Sequence, residues 1–118
     1  MKTNLPNREA TFAILDGHLV RTTTGSDGRT YTQRCSRAIY ETVAHAVDET
    51  PMEGEGTTGQ EIAQRENVPF TQANVAYEFM KERSVLVVRC KRGYPASVTA
   101  YEDAMIEFLA LGEEEPTT

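Results

Sequence analysis

Residues 58–88 carry a run of signals whose spacing leaves few folds open. Thr58-Gly59-Gln60-Glu61 is a capping box, a threonine with a glutamate three residues on. It predicts a short helix over residues 60–66 with Ile62 and Ala63 facing inward. Asn67-Val68-Pro69 predicts a turn, because Pro69 disfavours helical geometry at Val68. Thr71 suits the N-cap of a further helix running from Gln72 to about Arg83. The β-branched run Val85-Leu86-Val87-Val88 predicts a strand, which Arg89-Cys90-Lys91-Arg92 continues outward. Gly93-Tyr94-Pro95 reads as a turn and residues 96–99 as a returning strand. Residues 100–111 predict a last helix, apolar at Met105, Phe108, Leu109 and Leu111, with Gly112 as its C-cap.

Upstream, Ser36 is an N-cap for a helix in which Ile39, Val43 and Val47 recur at helical spacing. Asp48-Glu49-Thr50-Pro51 ends it, and residues 52–56 form an acidic loop. Earlier still, Asp16-Gly17 stands between apolar runs, the pattern of a two-residue hairpin. Thr22, Thr23 and Thr24 extend the second strand, Gly25-Ser26-Asp27-Gly28 is a second turn, and residues 29–32 return as a third strand. The expected division is a leader and small β-meander over residues 1–34, with residues 1–8 flexible. A helical and hairpin domain follows over residues 35–111, and an acidic disordered tail over residues 112–118. The fold class is α+β.

A chain of 118 residues suits one domain and can bury a core without disulfides or metals. No apolar run approaches the roughly 18 residues needed to span a bilayer, and the polar start, Met1 to Pro6, lacks a secretory signal. The expectation is a cytoplasmic protein with no membrane partner. Cys35 and Cys90 fit no metal-ligand spacing and read as small buried apolar residues. His18 and His45 stand alone. No phosphate loop, activated nucleophile or apolar carboxylate pair is present, so neither an enzyme nor a cofactor is expected.

The formal net charge is −6, which opposes indiscriminate binding to a polyanion. The charge is segregated, however. Residues 60–95 hold Arg65, Lys81, Arg83, Arg89, Lys91 and Arg92 against Glu61, Glu66, Glu78 and Glu82, whereas residues 96–118 hold acids and no Lys or Arg. Arg89, Lys91 and Arg92 beside Tyr94 form the most basic cluster. It can contact phosphates, or it can simply keep a hairpin edge soluble.

The order helix, loop, short helix, turn, helix, strand, turn, strand, helix resembles the winged-helix family of bacterial transcription regulators, including those of the MarR type. Two blocks carry the resemblance. One is Thr58-Gly59-Gln60-Glu61-Ile62-Ala63-Gln64-Arg65-Glu66-Asn67-Val68. The other is Met80-Lys81-Glu82-Arg83-Ser84-Val85-Leu86-Val87-Val88-Arg89, where the family usually has glycine in place of Ser84. The resemblance implies a winged helix-turn-helix domain with an N-terminal β-meander and a C-terminal helix.

It also implies a helix that enters the major groove with Thr71, Gln72, Asn74, Val75 and Glu78, and with Lys81 further along. Ala73, Ala76, Tyr77 and Met80 would face inward, with Val75 and Phe79 toward the edge. Phe79 would pack on the meander or mark a protein contact. The hairpin would touch the DNA backbone through Arg89, Lys91, Arg92 and Tyr94. Glu78 counts against DNA unless it accepts from cytosine. The expected partner is double-stranded DNA, and residues 100–111 either join two copies of the regulator in a homodimer or fold back onto Ile39, Val43 and Val47 of the first helix. The alternative is a module that binds protein.

Overall fold

Asp16 and Gly17 both have positive φ, 53° and 79°, as a type I′ turn requires. They close the hairpin of β1 (Glu9–Leu15) and β2 (His18–Thr24), with Leu15 opposite His18. β3 (Thr30–Cys35) pairs antiparallel with β2, so the order is β1-β2-β3. The expected meander is therefore present. The structure, a computed structural model, describes residues 9–114. The expected leader over residues 1–8 and the end of the acidic tail lie outside the described residues.

Four helices follow, joined by a hairpin: α1 (Arg37–Glu49), α2 (Gly59–Glu66), α3 (Phe70–Glu82), β4 (Leu86–Arg89), β5 (Arg92–Pro95) and α4 (Ala100–Glu114). The hydroxyl of Ser36 caps α1 by accepting from Ile39 N–H, and that of Thr58 caps α2 by accepting from Glu61 N–H. Both caps match the sequence signals. α2 ends at Asn67 in left-handed geometry, φ 58°, a conformation asparagine tolerates better than most residues. The result is an α+β fold of four helices with small antiparallel sheets.

The meander and the helices share one hydrophobic core. Leu19 and Cys35 of the sheet lie in it beside Tyr40, Val43, Ile62, Phe79 and Phe108. Burial pushes the Cys35 thiol up to about 12. Four aromatic rings cross the molecule in sequence. Phe12 of β1 meets Phe79 of α3 edge-on at 5.2 Å, Phe79 meets Tyr40 of α1 at 6.0 Å, and Tyr40 meets Phe108 of α4 at 4.8 Å. Tyr40 also donates its hydroxyl to Ala104 O at 2.6 Å, locking α1 to α4.

Several expected boundaries move, each for a physical reason. α3 starts at Phe70, and its N-cap is Pro69, so Thr71 is no cap. The ring of Pro69 holds φ at −61°, and its carbonyl accepts from Ala73 N–H. The hairpin turns at Cys90 and Lys91, φ 52° and 68°, three residues earlier than expected. Gly93 is not a turn glycine. It sits within β5, and a Cβ there would come 2.3 Å from the Tyr77 hydroxyl. Residues 96–99 are no strand. Cys90 is exposed at the hairpin tip, which corrects its reading as a buried residue. Gly112 does not end α4. It lies inside the helix, where a Cβ would touch Ile14.

α3 ends in a Schellman motif. Val85 N–H bonds Met80 O at 2.9 Å, and Ser84 N–H bonds Lys81 O at 3.2 Å. That geometry puts Ser84 at φ 64°, which costs a non-glycine residue about 1–2 kcal/mol. Ser84→Gly should therefore stabilise the fold by about 1 kcal/mol. Urea unfolding is the check: a higher midpoint at unchanged slope is expected.

Candidate functional site

The outer stripe of α3 runs from Phe70 and Thr71 through half-buried Asn74 and Glu78 to Lys81, at steps of three or four positions from Thr71 onward. On its flanks α3 buries Ala73, Val75, Ala76, Phe79 and Met80. Two of these correct the sequence reading. Val75, expected to face a ligand, has no exposed surface, and neither has Phe79, expected at the edge. The cause is the meander, which covers the side of α3 opposite α1 and α2, so that α3 is buried on two flanks instead of one.

Gln72 is half-buried, and its Oε1 accepts from Ser36 N–H at 2.9 Å. It fixes the start of α1 and is not a free face residue. Thr71 is exposed and Asn74 half-buried. Lys81 pairs with Glu78 at 3.0 Å, so the one acid of the stripe is neutralised by its neighbour a turn away.

The hairpin residues are tied to the loop over residues 52–56. Arg92 donates to Glu55 O at 2.5 Å and to Gly56 O at 3.5 Å, and pairs with Glu61 at 2.5 Å. Tyr94 O–H donates to Gly54 O at 2.9 Å. Arg89 donates to Met52 O at 3.0 Å and lies 4.0 Å above the Tyr94 ring, a cation–π contact. Thr57 and Gly93 bridge through two backbone hydrogen bonds. Of the four hairpin residues expected to contact a ligand, Lys91 alone makes no ion pair or side-chain hydrogen bond among the described residues. It stands exposed at the tip.

Two grooves flank the stripe, and Asn74 lines both. One, about 480 Å³, runs between α3 and the hairpin past Gln60, Phe70, Lys81, Val88 and Lys91. The other, about 610 Å³, lies beneath the meander with Arg21, Thr23, Asp27, Tyr31 and Gln33. The sequence reading missed this second wall. Its signal was strand alternation: Arg21 opposes Gln33 and Thr23 opposes Tyr31, so all four share one face of the sheet. Among the described residues no cluster of His, Cys, Asp or Glu could hold a metal, and no helix is long and apolar enough to cross a membrane. Comparisons of the chain with protein-family models, curated proteins and solved structures find no match.

The Arg92 guanidinium, by its hydrogen bond, holds the Glu61 carboxyl below its usual 4.5. A carboxylate depressed in the folded state stabilises that state above its unfolded pKa, and the contribution disappears as pH falls through the folded value. Stability should therefore decline with acidification below about pH 4.5. Glu61→Gln should flatten that part of the profile and leave the profile above it parallel. Denaturation midpoints taken across pH 3–7 check this.

Proposed function

We propose that this chain is a winged-helix DNA-binding protein, with α3 entering the major groove and the β4–β5 hairpin resting on the backbone. The observation that carries the reading is the groove shared by Asn74, Lys81 and Lys91. It places a carboxamide on the helix after the tight turn, the Lys81–Glu78 ion pair beside it and the Lys91 ammonium group at the hairpin tip in one groove. Carboxamides read adenine edges, and Lys supplies phosphate contacts. The α2–turn–α3 order and the Thr57–Gly93 bridge, which ties the hairpin to the start of α2, support the same reading. Glu78 stays compatible with it because Lys81 takes up its charge.

In this reading two copies join through α4 to read two half-sites. Ala104, Phe108 and Leu111 pack inward, while Ile106 and Leu109 keep 61% and 50% of their surface exposed. Ile106→Glu should leave the fold intact and shift sedimentation to the monomer at tens of micromolar. A wild-type monomer at that concentration counts against the dimer.

A second reading, a module that binds protein, is favoured by the internal bonding of Arg89 and Arg92 and by exposed Phe70, Val87 and Val88 around α3. Salt-titrated binding to a random duplex library separates the two. For DNA binding, Lys91→Ala should weaken every sequence alike and reduce the salt slope by about one unit. Asn74→Ala should relax preference at one position, at about 1–3 kcal/mol. If the wild type retains no duplex at about 50 mM salt, the protein-binding reading takes its place.

A further inference from the structure

The groove beneath the meander holds a set of groups that neither the fold nor a paired duplex requires. Tyr31 lies on the sheet with 54% of its surface exposed. Across from it on β2 is Thr23, and one step further in, Arg21 faces Gln33. Arg21 donates through both Nε and Nη2 to Gln33 Oε1. The carbonyl oxygen of Gln33 is thereby spent, and its amide nitrogen is left as a donor. Burial lowers the Arg21 pKa and the nearby carboxylate of Glu78 opposes the shift; arginine side chains stay protonated in proteins. Asn74 closes the floor from α3, and among the described residues its side chain makes no hydrogen bond. Among the described residues, the one carboxylate lining the groove, Asp27, is engaged by Arg29, through the backbone N–H at 3.0 Å and the guanidinium at 3.7 Å. Glu78, on the neighbouring turn of α3, is held by Lys81 at 3.0 Å.

The groove therefore offers a flat aromatic face, a positive charge, several donors and little uncompensated negative charge, in about 610 Å³. That volume falls within the range of sites that enclose a small molecule of several rings or fewer. A base inside a duplex cannot use the aromatic face, because both of its own faces are stacked on neighbours. Only an unstacked base gains from Tyr31. The donor-rich lining suits a base edge rich in acceptors, as guanine is at O6 and N7.

From this arrangement we infer that the groove takes one unpaired base of DNA, stacked on Tyr31, with its edge toward Asn74 and the amide nitrogen of Gln33, beside the charge of Arg21. The inference rests on the duplex-binding reading. Asn74 lines both grooves, so a base leaving the duplex beside α3 would enter the second groove directly.

The test compares two labelled duplexes of equal length by fluorescence anisotropy, one fully paired and one with a single bulged guanine. The wild type should bind the bulged duplex about tenfold more tightly, the order of gain one stacked base brings. Tyr31→Ala should abolish that preference and leave affinity for the paired duplex unchanged, and Tyr31→Phe should keep the preference. Because Tyr31 is exposed, these variants keep the core intact. Equal binding of both duplexes by the wild type overturns the inference, as does a preference that survives Tyr31→Ala. In either case binding of the paired duplex leaves the duplex reading standing. If neither duplex is bound, both fall together.

Discussion

Phe79 is the contact on which the arrangement of the molecule turns. It has no exposed surface, and it lies between Phe12 of the meander and Tyr40 of α1. Full burial of such a ring is worth roughly 1.5–3 kcal/mol, and each well-placed aromatic pair adds about 0.5–1.5. Arg83 lies 5.1 Å over the same ring and pairs with Glu107 of α4 at 3.1 Å. One side chain thus meets the sheet, joins the first helix and packs beneath the cation that reaches the last.

Phe79 also decides what α3 can present. A helix buried on one flank keeps a broad outer face. A helix that packs on the meander as well as on α1 and α2, and buries Ala73, Val75, Ala76, Phe79 and Met80, keeps a narrow stripe. The two walls that narrow the stripe also create the grooves beside it. One wall is the sheet face with Arg21, Tyr31 and Gln33. The other is the hairpin, which Gly93 seats close against Tyr77. Tyr77 donates to Thr57 O at 3.2 Å from that position. Position 93 thus sets the distance between the hairpin and α3.

What could be read from the sequence was local. Asp16-Gly17 at a two-residue turn, Ser36 and Thr58 at helix caps, and Ile62-Ala63 on an inward face each depend on a few neighbouring residues. What was missed depends on a distant partner. Gly93 reads as a turn until Tyr77, sixteen positions earlier, is known to press on it. Gly112 reads as a helix end until Ile14 is found beside it. Thr71 has the chemistry of a cap, but Pro69 already fixes the entry to the helix. Val75 and Phe79 read as peripheral on a helix with one amphipathic face, and the second buried flank belongs to strands that lie within residues 9–35, far earlier in the chain. Ser84 is the converse case. The sequence shows only a serine at the helix end, and the structure supplies the reason glycine would suit the position, a left-handed φ of 64°.

The electrostatics of the candidate site follow from the same geometry. A guanidinium that already donates to backbone carbonyls is held in place and cannot move to a phosphate without losing those bonds. Arg92 is in that state, bound to Glu55 O, Gly56 O and Glu61, and its pKa rises mainly through the Glu61 hydrogen bond. Its net charge toward a ligand is small, because Glu61 offsets it at contact distance. Arg89 differs. Its tethers are one carbonyl and the face of Tyr94, neither of which cancels its charge. Lys91 adds a further charge at the tip, where two consecutive left-handed residues turn the chain. The three basic residues that look equivalent in the sequence thus divide into one that braces the hairpin against the acidic loop and two that carry its outward charge.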